Sequence, residues 1–552
     1  MDMYIETSKF KTKSGKIYSS TLLRQSYREG KKVKKRTIAN LSKCSPDEIE
    51  AIKLALKHKL DLANLGSFDE SVKCQEGLSV GAVWTVLEVA KRLGIVNALG
   101  SSRDGKLALW QVIARVIDQG SRLSAVRLAN THAMASAIGI EKGFNEDALY
   151  QNLAWLNDNQ ERIEQKLFKL RKEQSSNLFL YDVTSSYLEG DKNELADWGY
   201  NRDKKKGKKQ IVVGLLCDDE GEPISTEIFK GNTSDLTTFY SQIEKAKKRF
   251  GCEKVTFVGD RGMIKRTQIK ALEENGFQYI TAISKKEIET LIKKDHIQLE
   301  FFSKELYEVE LDGVRYILRK NPRRAEELDQ NRVRKRAAIK KLILDRNQYL
   351  EEHPKAKVET AVKTVNAKIK KLKVDGHLSL ETEERTLVLK LSEEKLKEES
   401  RLDGCYIIKT DLKQSEADKQ VAHDRYKDLA FVESAFRTSK STLELRPVHV
   451  RTAESTHGHV FVVMMAYMIM KNLDMLWKEI DTTVAEGLKS LSTLTTIEVT
   501  LNDQTKFEKV PEPRAQNRAL LGAAGVSIPK IIPRNDAHVA TKKQTRKSAK
   551  KT

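Results

Sequence analysis

Cysteine is scarce in this chain and badly placed for cross-linking. The five cysteines (Cys44, Cys74, Cys217, Cys252 and Cys405) are odd in number, widely spaced and never arranged as CxxC. That argues against a disulfide framework and a zinc ribbon, and for a reducing cytoplasm. Long apolar runs are lacking too. The longest, Val460 to Met470 (VFVVMMAYMIM), is about half of the ~20 residues a membrane span needs, and it reads as a buried helix. The amino terminus, MDMYIETSKF, has no apolar signal core, so a soluble, intracellular protein with no membrane partner is expected. No Walker-type lysine loop is present, which removes ATP from the expected ligands.

Acidic residues are outnumbered. Against 99 Lys and Arg stand 78 Asp and Glu, a net charge of +21 over 552 residues. The basic residues are clustered, which points to a polyanionic partner, most simply nucleic acid, and so to a place on the nucleoid. The length leaves room for roughly three or four domains.

Residues 1–74 read as a small basic module. Residues 1 to 45 hold twelve Lys or Arg and three acids, and alternation in KIYSSTLLRQSY and VKKRTIANL predicts two strands with a turn at Gly30. A helical region spans 75–176, its pattern beginning at Leu78, Val83, Leu87, Val89 and Leu93. RLSAVRLA (122–129) is a candidate recognition helix, with Arg122 and Arg127 as exposed cations. At Asn177 the period switches. NLFLYDVTSSYLEG, IVVGLLC and the ISTEIFKG that follows a DDEG turn read as three meandering strands; NTSD (232–235) caps a helix. KVTFVGDRGM then reads as a strand, followed by a helix and the strand FQYITAIS. That order, over 177–284, is the order of an RNase H-like core.

Residues 285–402 do not fit that core and read as an α+β insertion. It would be a strand pair carrying two long charged helices, with too little apolar surface for a core of their own. The core resumes over 403–478. There Ser415 with Asp418 reads as a capping box for a helical region that leads through Tyr426, Glu433 and Lys440, and Pro447 ends it near Leu445. Those three polar residues are seven apart, two helical turns, so on one helix they would share a face. Residues 479–552 have a weaker pattern and end in a basic tail, ATKKQTRKSAKKT, that reads as disordered.

Cutting a phosphodiester requires charge neutralisation on the phosphoryl group, an activated water or hydroxyl, and a stabilised leaving oxygen. Two divalent ions ~4 Å apart supply all three, and carboxylates are their natural ligands. Asp182 lies inside an apolar strand, Asp260 sits between glycines in GDRGM, and Glu433 projects from a helix anchored by Val432, Ala435 and Phe436. Strands one and four of such a sheet are neighbours, so the two aspartates would stand side by side and Glu433 would close the site. The lysines of the following loop, Lys204, Lys205, Lys206, Lys208 and Lys209, are candidates for the DNA backbone. Trp198 is a candidate for base stacking or for the core. His457 and His459 are spaced like a metal pair but read better as packing residues.

YDVTSSYLEG, GNTSD, VGDRGM and Y-x6-E-x6-K with AFRTSKSTLELRPVHV together resemble the DDE transposases of bacterial insertion sequences. They are closest to the group marked by a Tyr-Arg-Glu-Lys signature and an insertion before the glutamate. The resemblance covers about 177–470. It implies an RNase H-like fold, Mg²⁺ (or Mn²⁺) dependence, a homodimeric synapse, and transposon-end and target DNA as partners. It also implies Asp182, Asp260 and Glu433 as the catalytic, metal-binding triad, with Tyr426 and Lys440 on phosphates of the transposon end. The chain departs from the signature where its arginine should lie, three residues after Tyr426, and has Leu429 there; Arg425 and Arg437 are the nearby cations. Two other readings stay open: an RNase H-like nuclease without strand transfer, and a nucleic-acid-binding protein without catalysis.

Overall fold

The basic amino-terminal stretch forms an antiparallel sheet of β1 (Met3–Lys11), β2 (Ile17–Glu29) and β3 (Lys32–Asn40), with Gly30 left-handed at the tight β2–β3 turn. Sequence alternation had pointed to two strands; β1 is a third, paired along its whole length with β2. Glu6 takes ion pairs from Arg24 (2.8 Å) and Lys35 (3.4 Å) across this sheet. In this computed structural model the described residues are all except 1–2, 12–14, 31, 58, 60–71, 141, 172–176, 502–504, 533–538 and 544–552.

Leu78 belongs to a strand, not to the helix expected there. β4 (Val72–Ser79) pairs antiparallel with β15 (Thr495–Leu501), followed by β16 (Thr505–Lys509) and β17 (Ile531–Ile532). A partner more than 400 residues away cannot be read from local periodicity. Helices Gly81–Arg92, Arg103–Asp118, Arg122–Ala129 and Glu146–Arg171 follow. Arg127 is exposed as expected, but Arg122 is buried.

The Glu146–Arg171 helix packs on Ala453–Leu476. Gly458 allows the approach: a Cβ there would lie 2.1 Å from the Leu153 carbonyl oxygen. Among the described residues, Ala453–Leu476 is the one helix long and apolar enough to cross a membrane, and 72% of its most apolar window is buried inside the protein. It contains the apolar run Val460 to Met470 as a core helix.

The central sheet has eight strands in the order β10-β11-β14-β9-β8-β5-β6-β7. β5 (Leu178–Tyr187), β6 (Gln210–Cys217) and β7 (Pro223–Lys230) form an antiparallel meander. β8 (Thr256–Gly259) lies parallel to β5, and β9 (Gln278–Ala282) parallel to β8. The period of two along β5 sends Leu178 and Leu180 to the face covered by the Ala453–Leu476 helix. Phe179, Tyr181 and Val183 go to the other face, among Phe239, Phe257 and Phe277.

β10 (Tyr307–Leu311) and β11 (Val314–Lys320) extend this sheet, because β11 pairs with β14 (Cys405–Thr410) and β14 with β9. The strand pair of 285–402 is thus continuous with the central sheet. Helices Pro322–Glu352 and Val358–Leu372 form the arm. Contrary to the expectation of solvated helices, the arm has a small core: Ile339, Ile343, Val365 and Ile369 are buried with Leu378 and Leu387 of the hairpin β12 (Leu378–Glu383) and β13 (Thr386–Leu391). The hairpin closes an apolar stripe too narrow to have signalled a core by itself.

The carboxy-terminal tail was expected to be disordered from Ala540. Its first residues pack instead: Ala540 is buried and the Lys542 amide donates to Glu146 (2.9 Å). The rest, 544–552, lies outside the described residues.

Candidate active site

Asp182 sits mid-strand in β5, in step with Leu178 and Leu180, so it faces the layer that contains the Leu429–Ser441 helix. Tyr181 pairs with Gly259 across the parallel β5–β8 ladder, so Asp260, the next residue after β8, falls beside Asp182. Asp260 itself is exposed, and its Oδ1 accepts from the Arg261 amide (2.8 Å), which fixes the carboxylate at the strand end. Glu433 comes from the third segment. Val432, Ala435 and Phe436 bury one side of its helix, leaving Glu433 and Arg437, one turn later, on the exposed side.

Asp182 senses the other two carboxylates. Burial raises the Asp182 carboxyl to about 7; Asp260 and Glu433 push the same way, while the Val183 amide and the Arg202 guanidinium oppose. Arg202 is held by a two-pronged contact to Asp235 (2.8 and 2.8 Å). Asp235 therefore serves as an anchor; Ser234, the cap position of the NTSD stretch, makes no capping hydrogen bond with its side chain. A cavity of about 380 Å³, lined by Tyr200, Arg202, Asn232, Asp235 and Gly262, adjoins these residues. Among the described residues, no three His, Cys, Asp or Glu side chains stand close enough to complete a set of metal ligands. Carboxylate oxygens are hard donors of the kind that suit a divalent cation.

The expected single helix through Tyr426, Glu433 and Lys440 is broken. One helix spans Lys419–Lys427, opened by the Asp418 carboxylate accepting from the Val421 amide (2.8 Å), and a second spans Leu429–Ser441. The chain leaves the helix before Leu445, and Glu444 is left-handed. Tyr426 still reaches the site, its hydroxyl donating to Asp260 (3.3 Å); burial and then Asp260 push its phenol well above the usual range.

Lys440 turns away from Glu433. It is 8% exposed and donates to Asp203 (2.9 Å), which also takes Arg446 (2.6 Å) and the Tyr187 amide (3.3 Å). Burial lowers the lysine's pKa, against the pull of Asp203. In the basic loop, Lys204, Lys205 and Lys206 are exposed and Lys208 and Lys209 half-buried; Lys205 lies over the Tyr187 ring and Lys208 pairs with Glu189 (2.7 Å). Trp198 is 59% exposed, so it does not belong to the core. Arg425 is committed to Asp219 (3.5 Å) and Asp428 (3.6 Å). His459 is buried and shares a hydrogen bond with Arg122 (3.0 Å), a packing role.

Sequence reading missed Arg202, Asp203 and Arg446. Two of them stood in the lysine-rich loop, where Arg202-Asp203 was the one adjacent pair of opposite charge ahead of the lysine run.

Residues 173–469 match the family model of the transposase DDE domain, more than half of the chain. The chain belongs to the DDE transposases. Residues 5–71 match the amino-terminal domain of the IS1634 family transposases, so this is an insertion-sequence transposase, an enzyme that acts on DNA with divalent metal. No curated protein matches. A solved chain of a piggyBac transposase synaptic complex with hairpin DNA is similar at 9% identity and a TM-score of 0.34, over 80% of this chain and 75% of that one.

Proposed function

We propose that this transposase cuts at the ends of its insertion sequence and transfers the freed 3′-hydroxyl to target DNA, using Asp182, Asp260 and Glu433. The observation that carries the reading is that acids from a strand, a strand end and a separate helix converge electrostatically on Asp182. The order and directions of β7-β6-β5-β8-β9 support an RNase H-like core, with 285–402 as its insertion. The proposed domain limits are 1–74, 75–176, 177–284, 285–402, 403–478 and 479–552, the first of which falls inside β4, a strand paired with β15 of the last segment.

The three carboxylates would hold Mg²⁺ or Mn²⁺. When bound, such a cation neutralises the phosphodiester and activates the attacking oxygen. The protein's own groups set the stage. Asp235 fixes Arg202 so that its positive charge faces Asp182, and the Tyr426 hydroxyl orients Asp260. The rigid underside of the Leu429–Ser441 helix fixes Glu433. Arg437 and the exposed lysines Lys204, Lys205 and Lys206, with Lys208 and Lys209, lie where a DNA backbone would pass. Lys440 supports the site from beneath through Asp203. Membership of the Tyr-Arg-Glu-Lys group fits Tyr426, Glu433 and Lys440, with Arg437 taking the arginine's part. The basic amino-terminal sheet and the helices that follow bind the element's ends, and two copies pair them.

The test incubates full-length protein, Mg²⁺ and a plasmid carrying the element with its native flanks. Cut ends joined to a new target are expected. Cutting without joining would make the protein a nuclease, and binding without any metal-dependent reaction would remove catalysis altogether.

A further inference from the structure

A cavity of about 280 Å³ opens between the Arg103–Asp118 and Arg122–Ala129 helices and the segment after the Glu433 helix. Arg115, Arg122, Arg446, His449, His459 and Glu444 line it. Arg115 and Arg122 are each only 5% exposed, and the Nε–H of each has no hydrogen-bond partner. Their other bonds go to neutral groups: Arg122 to the His459 ring (3.0 Å), Arg115 to the Gln119 carbonyl. Neither guanidinium has an ion-pair partner within 4 Å among the described residues. A buried charge without a partner is costly, and an anion would complete the arrangement.

Glu444 and Asp118 favour the Arg115 charge from a distance, but neither forms an ion pair with it. Asp118 accepts from the Ser124 hydroxyl, and Glu444 is exposed. Burial pushes Arg115 down to about 10 and Arg122 to about 9, yet both stay cationic at neutral pH. Burial and the two arginines hold His459 well below its usual range, so it is neutral. The guanidinium fork matches phosphate oxygens. The cavity equals about nine waters at ~30 Å³ each, enough for a phosphate with its sugar. Its wall continues through Arg446 to Asp203 and Lys440, beneath the Glu433 helix.

We propose that this cavity seats a phosphate of the bound DNA strand, with Arg115 and Arg122 as its ligands and Arg446 joining it to the catalytic sheet. The inference rests on the DNA-transposase reading but uses none of the triad's chemistry. The test measures the affinity of the full chain for random-sequence duplex and single-stranded oligonucleotides over a range of salt, comparing wild type, Arg115→Gln, Arg122→Gln and Arg122→Lys.

Each glutamine variant should bind about tenfold more weakly and lose ~0.9 from the logarithmic salt slope on duplex, with Arg122→Lys in between. Should a variant fail to fold, the wild type still decides. Inorganic phosphate at constant ionic strength should protect Arg122 from phenylglyoxal, read by peptide mass, and absence of protection would overturn the proposal. Protection with an unchanged DNA slope would assign the cavity to a free anion and overturn the DNA assignment. The two readings fail separately: metal-dependent cleavage with unchanged slopes removes only the phosphate seat. Altered slopes in a protein that never cleaves DNA keep the seat and remove the catalysis.

Discussion

Two charged clusters lie within the same fold and are built on opposite plans. At Asp203 one carboxylate takes Lys440, Arg446 and a backbone amide, so a buried acid is compensated by two cations. At Asp182 two further carboxylates and one guanidinium act on a buried acid, and the strand carboxyl is pushed up to about 7. The first cluster satisfies its charges; the second leaves them in conflict, which is what the proposed cation site would require. Lys440 reads from sequence as a phosphate contact on the same helical face as Glu433, yet it belongs to the first plan. His459 likewise serves packing, through its hydrogen bond with Arg122.

The largest expected effect separates the clusters by activity. Glu433→Gln, Asp182→Asn and Asp260→Asn should each lower metal-dependent cleavage by about a thousandfold or more, while DNA binding persists. Glu454→Gln, on an exposed residue outside both clusters, should cleave like wild type. Near-normal cleavage by Glu433→Gln would remove it from the site.

Stability separates them next. Asp203→Ala leaves Lys440 and Arg446 without their acid and should cost about 3 kcal/mol, read by denaturant unfolding. Asp182→Asn removes a conflict and should raise the melting temperature of the metal-free protein slightly. If Asp203→Ala unfolds at wild-type denaturant concentration, the claim that this cluster is a scaffold fails.

The smallest effect concerns a third acid. Asp218, at the end of β6, is raised to about 6 by burial, although the Glu222 amide opposes it. A carboxyl raised above its unfolded value near 3.8 destabilises the fold only as it ionises. The loss therefore grows as pH rises from about 4 through about 6 and stays constant above that. Asp218→Asn keeps the acceptor for the turn amides. It should match wild type at pH 4 and melt a few degrees higher at pH 8, and equal melting at both pH values would contradict the raised pKa.

Much of this was legible in the chain itself. The alternation of Leu178 to Val183, the apolar run at Val460 and the glycines around Asp260 are local signals, and they set the strands, the core helix and both aspartates. The break at Asp428 was not legible, because Tyr426 to Lys440 carries an unbroken helical pattern and neither glycine nor proline interrupts it. β4 gave no sign of its partner, since β15 is supplied by the far end of the chain. The arm's core needed the β12–β13 hairpin to fold back on it.

The sequence by itself determined which residues are candidates for chemistry and which elements carry them, because residue type and strand or helix period are local properties. Which charges neutralise one another was decided only by tertiary structure. Asp203, Lys440 and Arg446 meet across more than 200 residues, and Arg115 and Arg122 are buried by segments far from them in the chain. Burial and pairing are sums over neighbours in space, and local sequence patterns do not record those neighbours.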